Sequence, residues 1–221
     1  MKQIWKQTWR HRLAAALIQL LMVLAMAGVG IRMPVQAAEK NAVTQSGEMK
    51  VHFLDVGQGL SILAQSEGKT MIYDGGDRKT SRFVVSYLKE HGVSKIDYLI
   101  SSHYDADHMA GLIGCLNAFD VKNVISSNYV HTSKLYQSFV KAVKADGLKM
   151  QHPAVGKTYK FGRGSFEILA PKTIEAKGSN NNSVAIKLMN GENSFVFTGD
   201  AEHESEAAMC NSSIDLSCDV L

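Results

Sequence analysis

Cysteine and proline are scarce in this chain, with 3 of each among 221 residues. Cys115, Cys210 and Cys218 form no Cys-x-x-Cys pair, which excludes thiolate zinc knuckles and thioredoxin-type redox chemistry. Their number is also too small for a disulfide-stapled scaffold; an oxidising compartment permits one bridge, with Cys210–Cys218 the candidate. So few prolines leave no long stiff linker. No internal repeat, heptad or low-complexity tract is visible, so solenoids and coiled coils drop out. No Ser-His-Asp or Cys-His constellation stands out either. Glycine, at 18 residues, is plentiful and suits a turn-rich mixed α/β domain.

Acidic residues are missing altogether from the first 38 positions. There Lys2, Lys6, Arg10 and Arg12 lead into Leu13–Ile31, a charge-free run interrupted only by Gln19. Pro34-Val35-Gln36-Ala37-Ala38 then supplies small residues where a signal peptidase cuts, so residues 1–37 read as a secretory signal peptide. The run is also long enough to span a bilayer, and a retained membrane anchor is the alternative. Residues 38–48 form a polar spacer and 49–221 the exported domain. Five of the 24 basic residues and none of the 21 acidic ones precede position 38, so the remainder carries net charge −2. The overall basic balance belongs to the leader, and charge gives no support for a stable nucleic-acid partner.

Apolar periodicity predicts strands at Lys50–Val56, Leu60–Gln65, Lys69–Tyr73, Ile96–Ser101, Val121–Ser126, Thr158–Phe161, Ser165–Ala170, Ser183–Leu188 and Ser194–Thr198. Gly57-Gln58-Gly59 reads as a hairpin-type turn, and Asn190-Gly191 as a second hairpin signal. Helical spacing predicts helices over Thr80–His91, Met109–Asn117, Ser133–Ala145 and Ala201–Asn211, with a last strand beginning at Leu216–Leu221. Strands first, then β/α alternation, then strands and a helix suit two packed sheets with helices outside. The fold class is therefore α/β, a four-layer αββα sandwich.

The densest chemistry lies in Ser-Ser-His-Tyr-Asp-Ala-Asp-His-Met-Ala-Gly at 101–111. His103, Asp105, Asp107 and His108 follow an apolar strand and precede a predicted helix, so a loop there can turn them toward one point. Two imidazoles and two carboxylates so placed repel or titrate unless a divalent cation shares them. A solvated acidic loop is the alternative. Gly199-Asp200, at a strand-to-helix junction, offers one more carboxylate.

His103-x-Asp105-x-Asp107-His108 with Gly199-Asp200 resembles the metallo-β-lactamase fold superfamily, whose common motif is His-x-His-x-Asp-His. Asp at the second position resembles the branch containing the extracellular domain of the ComEC/Rec2 competence proteins. Phe53-Leu54-Asp55-Val56-Gly57-Gln58-Gly59, Tyr73-Asp74-Gly75-Gly76 and Asn181-Asn182-Ser183-Val184 resemble further elements of that branch. The resemblance implies that His103 and Asp105 serve one metal site and Asp107 and His108 a second, with Asp200 bridging. Asp107 and His108 are then the catalytic pair. Asp74 would brace the ligand loop from behind, although it reads equally as a turn-forming residue before Gly75-Gly76. Asn182 and Ser183 lie where many members place a third histidine, so either is expected to line the first site.

Two departures stand out. The family carries an acidic residue after Gly-Gln-Gly, where this chain has Leu60. The sequence also stops before a Gly-His-His-Gly-Ser element whose histidine completes the second site. The domain is thus expected to lack its last strand and helix, with weak activity. An oxygen-rich ligand set favours Mn²⁺, with Zn²⁺ and Mg²⁺ as alternatives, for one or two divalent ions. Two metals about 3.5–4 Å apart would generate hydroxide near neutral pH. The resemblance implies a phosphodiesterase or nuclease-like hydrolase with DNA among its substrates. A metal-binding relative without turnover is the second reading, and a lactam or ester hydrolase the third. His131, His152 and His203 are left without a role.

Overall fold

The computed structural model of the chain describes residues 47–175 and 179–221. The leader, and the spacer as far as residue 46, lie outside them. Among the described residues no helix is long and apolar enough to cross a membrane. Strands β1 (Met49–Phe53), β2 (Ile62–Ser66) and β3 (Lys69–Tyr73) lead into helix α1 (Ser81–Glu90). β4 (Lys95–Ile96) and β5 (Tyr98–Ser101) precede α2 (Ala106–Ala118), and β6 (Asp120–Val121) and β7 (Val124–Ser126) precede α3 (Lys134–Ala145). The chain continues through β8 (Met150–Gln151), β9 (Thr158–Phe161), β10 (Gly164–Ile168), a 3-10 turn at Asn180–Asn182, β11 (Ile186–Asn190), β12 (Asn193–Phe197) and α4 (His203–Cys210).

One sheet has six strands in the order β1-β2-β3-β5-β7-β8, antiparallel through β3 and parallel beyond. The other has four antiparallel strands, β12-β11-β10-β9. Strand alternation builds the layers, since successive side chains face opposite sides of a sheet. Leu63, Ile72, Leu99 and Val124 pack beneath Val84 and Leu88 of α1, Met109 and Leu112 of α2, and Phe139 of α3. Their neighbours Ile62, Ala64, Met71, Tyr73, Ile100 and Ile125 face Phe166, Ile168, Ile186 and Leu188 of the second sheet. That sheet's outer face carries Ala185 and Val196 against Met209 of α4. The result is the expected αββα sandwich. Tyr73 ties the sheets together, its buried hydroxyl donating to the Val184 carbonyl at 2.7 Å.

Local departures from the sequence reading have physical causes. Gly57-Gln58-Gly59 is not a tight hairpin; β1 and β2 are joined by a wide loop laid against α2, where Leu60 N donates to Asp107 O at 3.3 Å. A Cβ at Gly59 would fall 2.1 Å from that same oxygen. The second hairpin turns on Gly191-Glu192, because Asn190 itself pairs with Asn193. Val121–Ser126 divides into β6, which pairs with β4, and β7, which joins the large sheet. Helix α2 begins at Ala106 rather than Met109, because Asp105 is already extended and caps it. The segment Leu216–Leu221 makes a single parallel bridge from Val220 to Phe195 rather than a strand. Cys210 and Cys218 are free thiols, as is Cys115, so the candidate bridge is not formed.

Candidate metal centre

Parallel strands β3 and β5 end side by side, and the chain leaving each reaches the same spot, the usual place for a site in such sheets. Asp74 follows β3 with φ of +56°, a left-handed conformation that Asp tolerates better than most residues. The turn lets Gly75 and Gly76 lie directly on α2: Gly75 N donates to His108 O at 2.7 Å and Gly111 N to Gly76 O at 3.0 Å. Asp74 is fully buried. Its carboxylate accepts from Ser102 N at 2.8 Å, Ser102 Oγ at 2.6 Å and His108 Nδ1 at 2.9 Å.

Those bonds fix the tautomers. Ser102 has one hydroxyl proton, and it goes to Asp74. The 2.9 Å contact between Ser102 Oγ and His103 Nδ1 therefore has the histidine as donor, leaving Nε2 bare. His108 likewise donates through Nδ1, and its Nε2 lies 3.3 Å from Asp200 Oδ1. The two imidazole centroids are 4.2 Å apart. One ligand atom from each of His103, His108 and Asp200 lies within 4.8 Å of the others. His103 Nε2 is buried and has no hydrogen-bond partner among the described residues. A buried acceptor with nothing to accept from is costly, and a cation held by this trio would satisfy it. The donor set, two imidazole nitrogens and a carboxylate, suits a divalent ion such as Zn²⁺ or Mn²⁺.

Electrostatics separate the two histidines. Burial pushes His103 below its ordinary value, against the opposing pull of Asp74, so it is neutral near pH 7. Burial also lowers His108, but the hydrogen bond and charge of Asp74, helped by Asp200 and Asp107, outweigh it and raise its pKa to about 9.

The other residues singled out in the sequence take different places. Asp105 stands at the edge of the cluster, its Oδ2 at 3.7 Å from His103 Nε2. Asp107 is outside the trio. It and His108 are consecutive in the first turn of α2, where side chains diverge by about 100°; Asp107 instead lines a pocket with Gln58, Asp77 and Lys79. Ser183 Oγ approaches His103 Nδ1 at 3.4 Å. The Asn182 amide clasps the backbone of Glu175, accepting at 2.7 Å and donating at 3.1 Å. Ser102, which links Asp74 to His103, carried no signal beyond its place beside the motif.

Asp200 arrives from β12 through Gly199, whose φ is +58°. A Cβ there would lie 2.7 Å from Ser102 Cβ, so glycine lets the two loops meet.

Recombination protein 2 of Haemophilus influenzae is 30% identical over 162 residues, covering 71% of this chain and 19% of its own length. ComE operon protein 3 of Bacillus subtilis is 26% identical over 195 residues, covering 80% of this chain and 25% of its own. The chain thus spans a quarter or less of these curated relatives. Among solved structures, the metallo-beta-lactamase SMB-1 bound to 2-mercaptoethanesulfonate superposes with a TM-score of 0.52 at 17% identity, over 80% of this chain and 76% of that one. That likeness concerns the fold. The profile of the metallo-beta-lactamase superfamily matches residues 54–217, a span that takes in every member of the cluster, and the chain belongs to that superfamily.

Proposed function

We propose that this chain is an exported metal-dependent hydrolase domain acting on phosphodiesters, with DNA as the substrate class. The observation that carries the proposal is the buried, unpartnered His103 Nε2 beside His108 and Asp200. The relative named for recombination supports DNA over other phosphodiesters, and the leader supports export. A divalent cation held by His103, His108 and Asp200 would supply Lewis acidity and lower the pKa of a water toward neutrality.

The chain's own residues prepare that chemistry. Asp74 holds Nδ1 of His108, and through Ser102 that of His103, so both Nε2 atoms are turned to the cluster, that of His103 as a bare acceptor and that of His108 once its proton leaves. Asp105 and Asp200 bring negative charge to the same rim. Of the two residues read as catalytic, His108 belongs to the cluster and Asp107 lines a pocket with Gln58, Asp77 and Lys79.

A second reading, a metal-binding relative that turns nothing over, is favoured by one observation. Leu60 stands in place of the family's acidic residue and packs against the core between the sheets. Lactam or ester hydrolysis has only the shared fold behind it, and fold does not fix function.

Hydrolysis of bis(p-nitrophenyl) phosphate and of DNA with Mn²⁺, Zn²⁺ or Mg²⁺ tests the proposal. His103→Ala combined with His108→Ala is expected to lower the rate at least about a hundredfold. Equal rates in wild type and double variant would remove the enzyme. A wild type that takes the cation but cleaves nothing would establish the second reading.

A further inference from the structure

Asp200 is the least secured member of the cluster. Its side chain is 45% exposed, and its Oδ1 lies 3.3 Å from His108 Nε2. Its backbone leads straight into α4, whose capping residue, Glu202, is two residues on. Helix N-termini leave amide protons unsatisfied, and Glu202, in the capping position of α4, makes no side-chain cap. The cap comes from elsewhere in the chain. Asn181, buried in the 3-10 turn, accepts through Oδ1 from Glu202 N at 3.1 Å and Ser205 N at 3.3 Å. Its Nδ2 donates to Glu204 Oε2 at 2.8 Å, which settles the amide orientation, and Asn180 Nδ2 adds a bond to Glu202 Oε1 at 3.0 Å.

The same turn serves the other side of the centre. Two residues after Asn181, Ser183 Oγ meets the His103 ring, and Val184 N donates to Ser102 O at 2.8 Å. One short segment is thus bonded both to the loop that carries His103 and to the loop that carries Asp200.

From this arrangement we infer that Asn181 is a positioning residue, a remote cap that holds Asp200 at the distance a cation needs before one arrives. The inference rests on the metal-centre reading above. A ligand bound by a conformer present only part of the time loses apparent affinity in proportion to that fraction. Loss of a cap of this kind is expected to leave Asp200 in place about a tenth to a third of the time, weakening binding about three- to tenfold.

Cobalt is the probe, titrated into the metal-free chain and followed by visible absorption, alongside hydrogen exchange at the Glu202 and Ser205 amides. Asn181→Ala is expected to weaken cobalt binding three- to tenfold (about the cap's worth) and to speed exchange at both amides. Asn181→Asp keeps the acceptor, Glu204 being exposed and free to turn away, and is expected to restore both readouts. If Asn181→Ala does not fold, Asn181→Ser, with an acceptor on a shorter arm, carries the same comparison. Cobalt affinity equal to wild type in the uncapped variant overturns the positioning role. A wild type that takes no cobalt overturns the metal centre itself, and this inference with it.

Discussion

Asp74 Oδ2 lies 2.9 Å from His108 Nδ1, and both groups are buried within the same backbone knot. That single contact decides which nitrogen of His108 faces Asp200, and it raises the affinity of the imidazole for its proton. The carboxylate does this from a residue held at φ of +56°. Its backbone and its side chain are thus under separate demands, which substitution can pull apart.

Asp74→Ala removes the acceptor of three hydrogen bonds and places a Cβ-only residue in the left-handed region. It is expected to lower unfolding stability by about 3 kcal/mol or more, because Ser102 N–H and His108 Nδ1 are left buried without partners. Asp74→Asn tolerates the same φ and keeps part of the bonding, so its loss should be about half as large. Both should weaken cation binding about ten- to a hundredfold, the usual effect of losing a carboxylate behind a histidine ligand. Urea unfolding and metal titration, run on both variants, separate the two effects. An Asp74→Asn chain as unstable as Asp74→Ala would show that the backbone conformation plays no part.

How much of this was legible in the sequence differs by element. Lys69–Tyr73 was placed residue for residue, because its apolar run meets Gly on one side and Asp-Gly-Gly on the other. The start of α2 was misplaced by three residues: Asp105 caps by backbone conformation, with no side-chain bond. Asp107 and His108, read from the sequence as part of a loop, therefore lie in the first turn of α2. The two-residue strands β4, β6 and β8 are too short to show a period. The cap from Asn181 to α4 crosses more than twenty residues of chain, and no local pattern encodes such a contact. The resemblance drew attention to the neighbouring Asn182 and Ser183, of which Ser183 does face His103.

Protons should leave when a cation enters. His108, with its pKa raised to about 9, carries a proton near pH 7, whereas burial keeps His103 neutral. Cation binding at about pH 7 is therefore expected to release close to one proton from the histidine pair, and affinity should rise with pH up to about 9. Calorimetry in two buffers of different ionisation enthalpy reads the proton directly. The metal-free fold follows the same linkage. A histidine whose folded pKa exceeds its unfolded 6.5 stabilises fully below that value and loses its contribution as pH climbs through about 9. Thermal unfolding of the metal-free chain should show that fall, and His108→Gln should flatten it. A wild type with no proton release at pH 7 would mean that Asp74 does not charge His108.

Three glycines should fail in a fixed order when changed to alanine, because the space around each differs. At Gly57, φ is +71° but nothing lies within 4 Å of the new Cβ, so only the left-handed penalty of about 1–2 kcal/mol applies. At Gly199 the same penalty is joined by a Cβ 2.7 Å from Ser102 Cβ, and Ser102 or the Asp200 loop must move. At Gly111 the Cβ would sit 1.7 Å from the Gly75 carbonyl oxygen, backbone against backbone, where no side chain can swing aside. Gly111→Ala is expected to cost more than about 3 kcal/mol by forcing α2 away from the Asp74 turn. Denaturant midpoints should therefore fall least for Gly57→Ala and most for Gly111→Ala. Cation affinity should part company with stability at Gly199→Ala, whose moderate loss of stability is expected to come with at least a tenfold loss of binding, since the displaced loop carries Asp200. If Gly199→Ala and Gly57→Ala bound the cation equally well, the close approach of Gly199 to Ser102 would not be what brings Asp200 to the histidines.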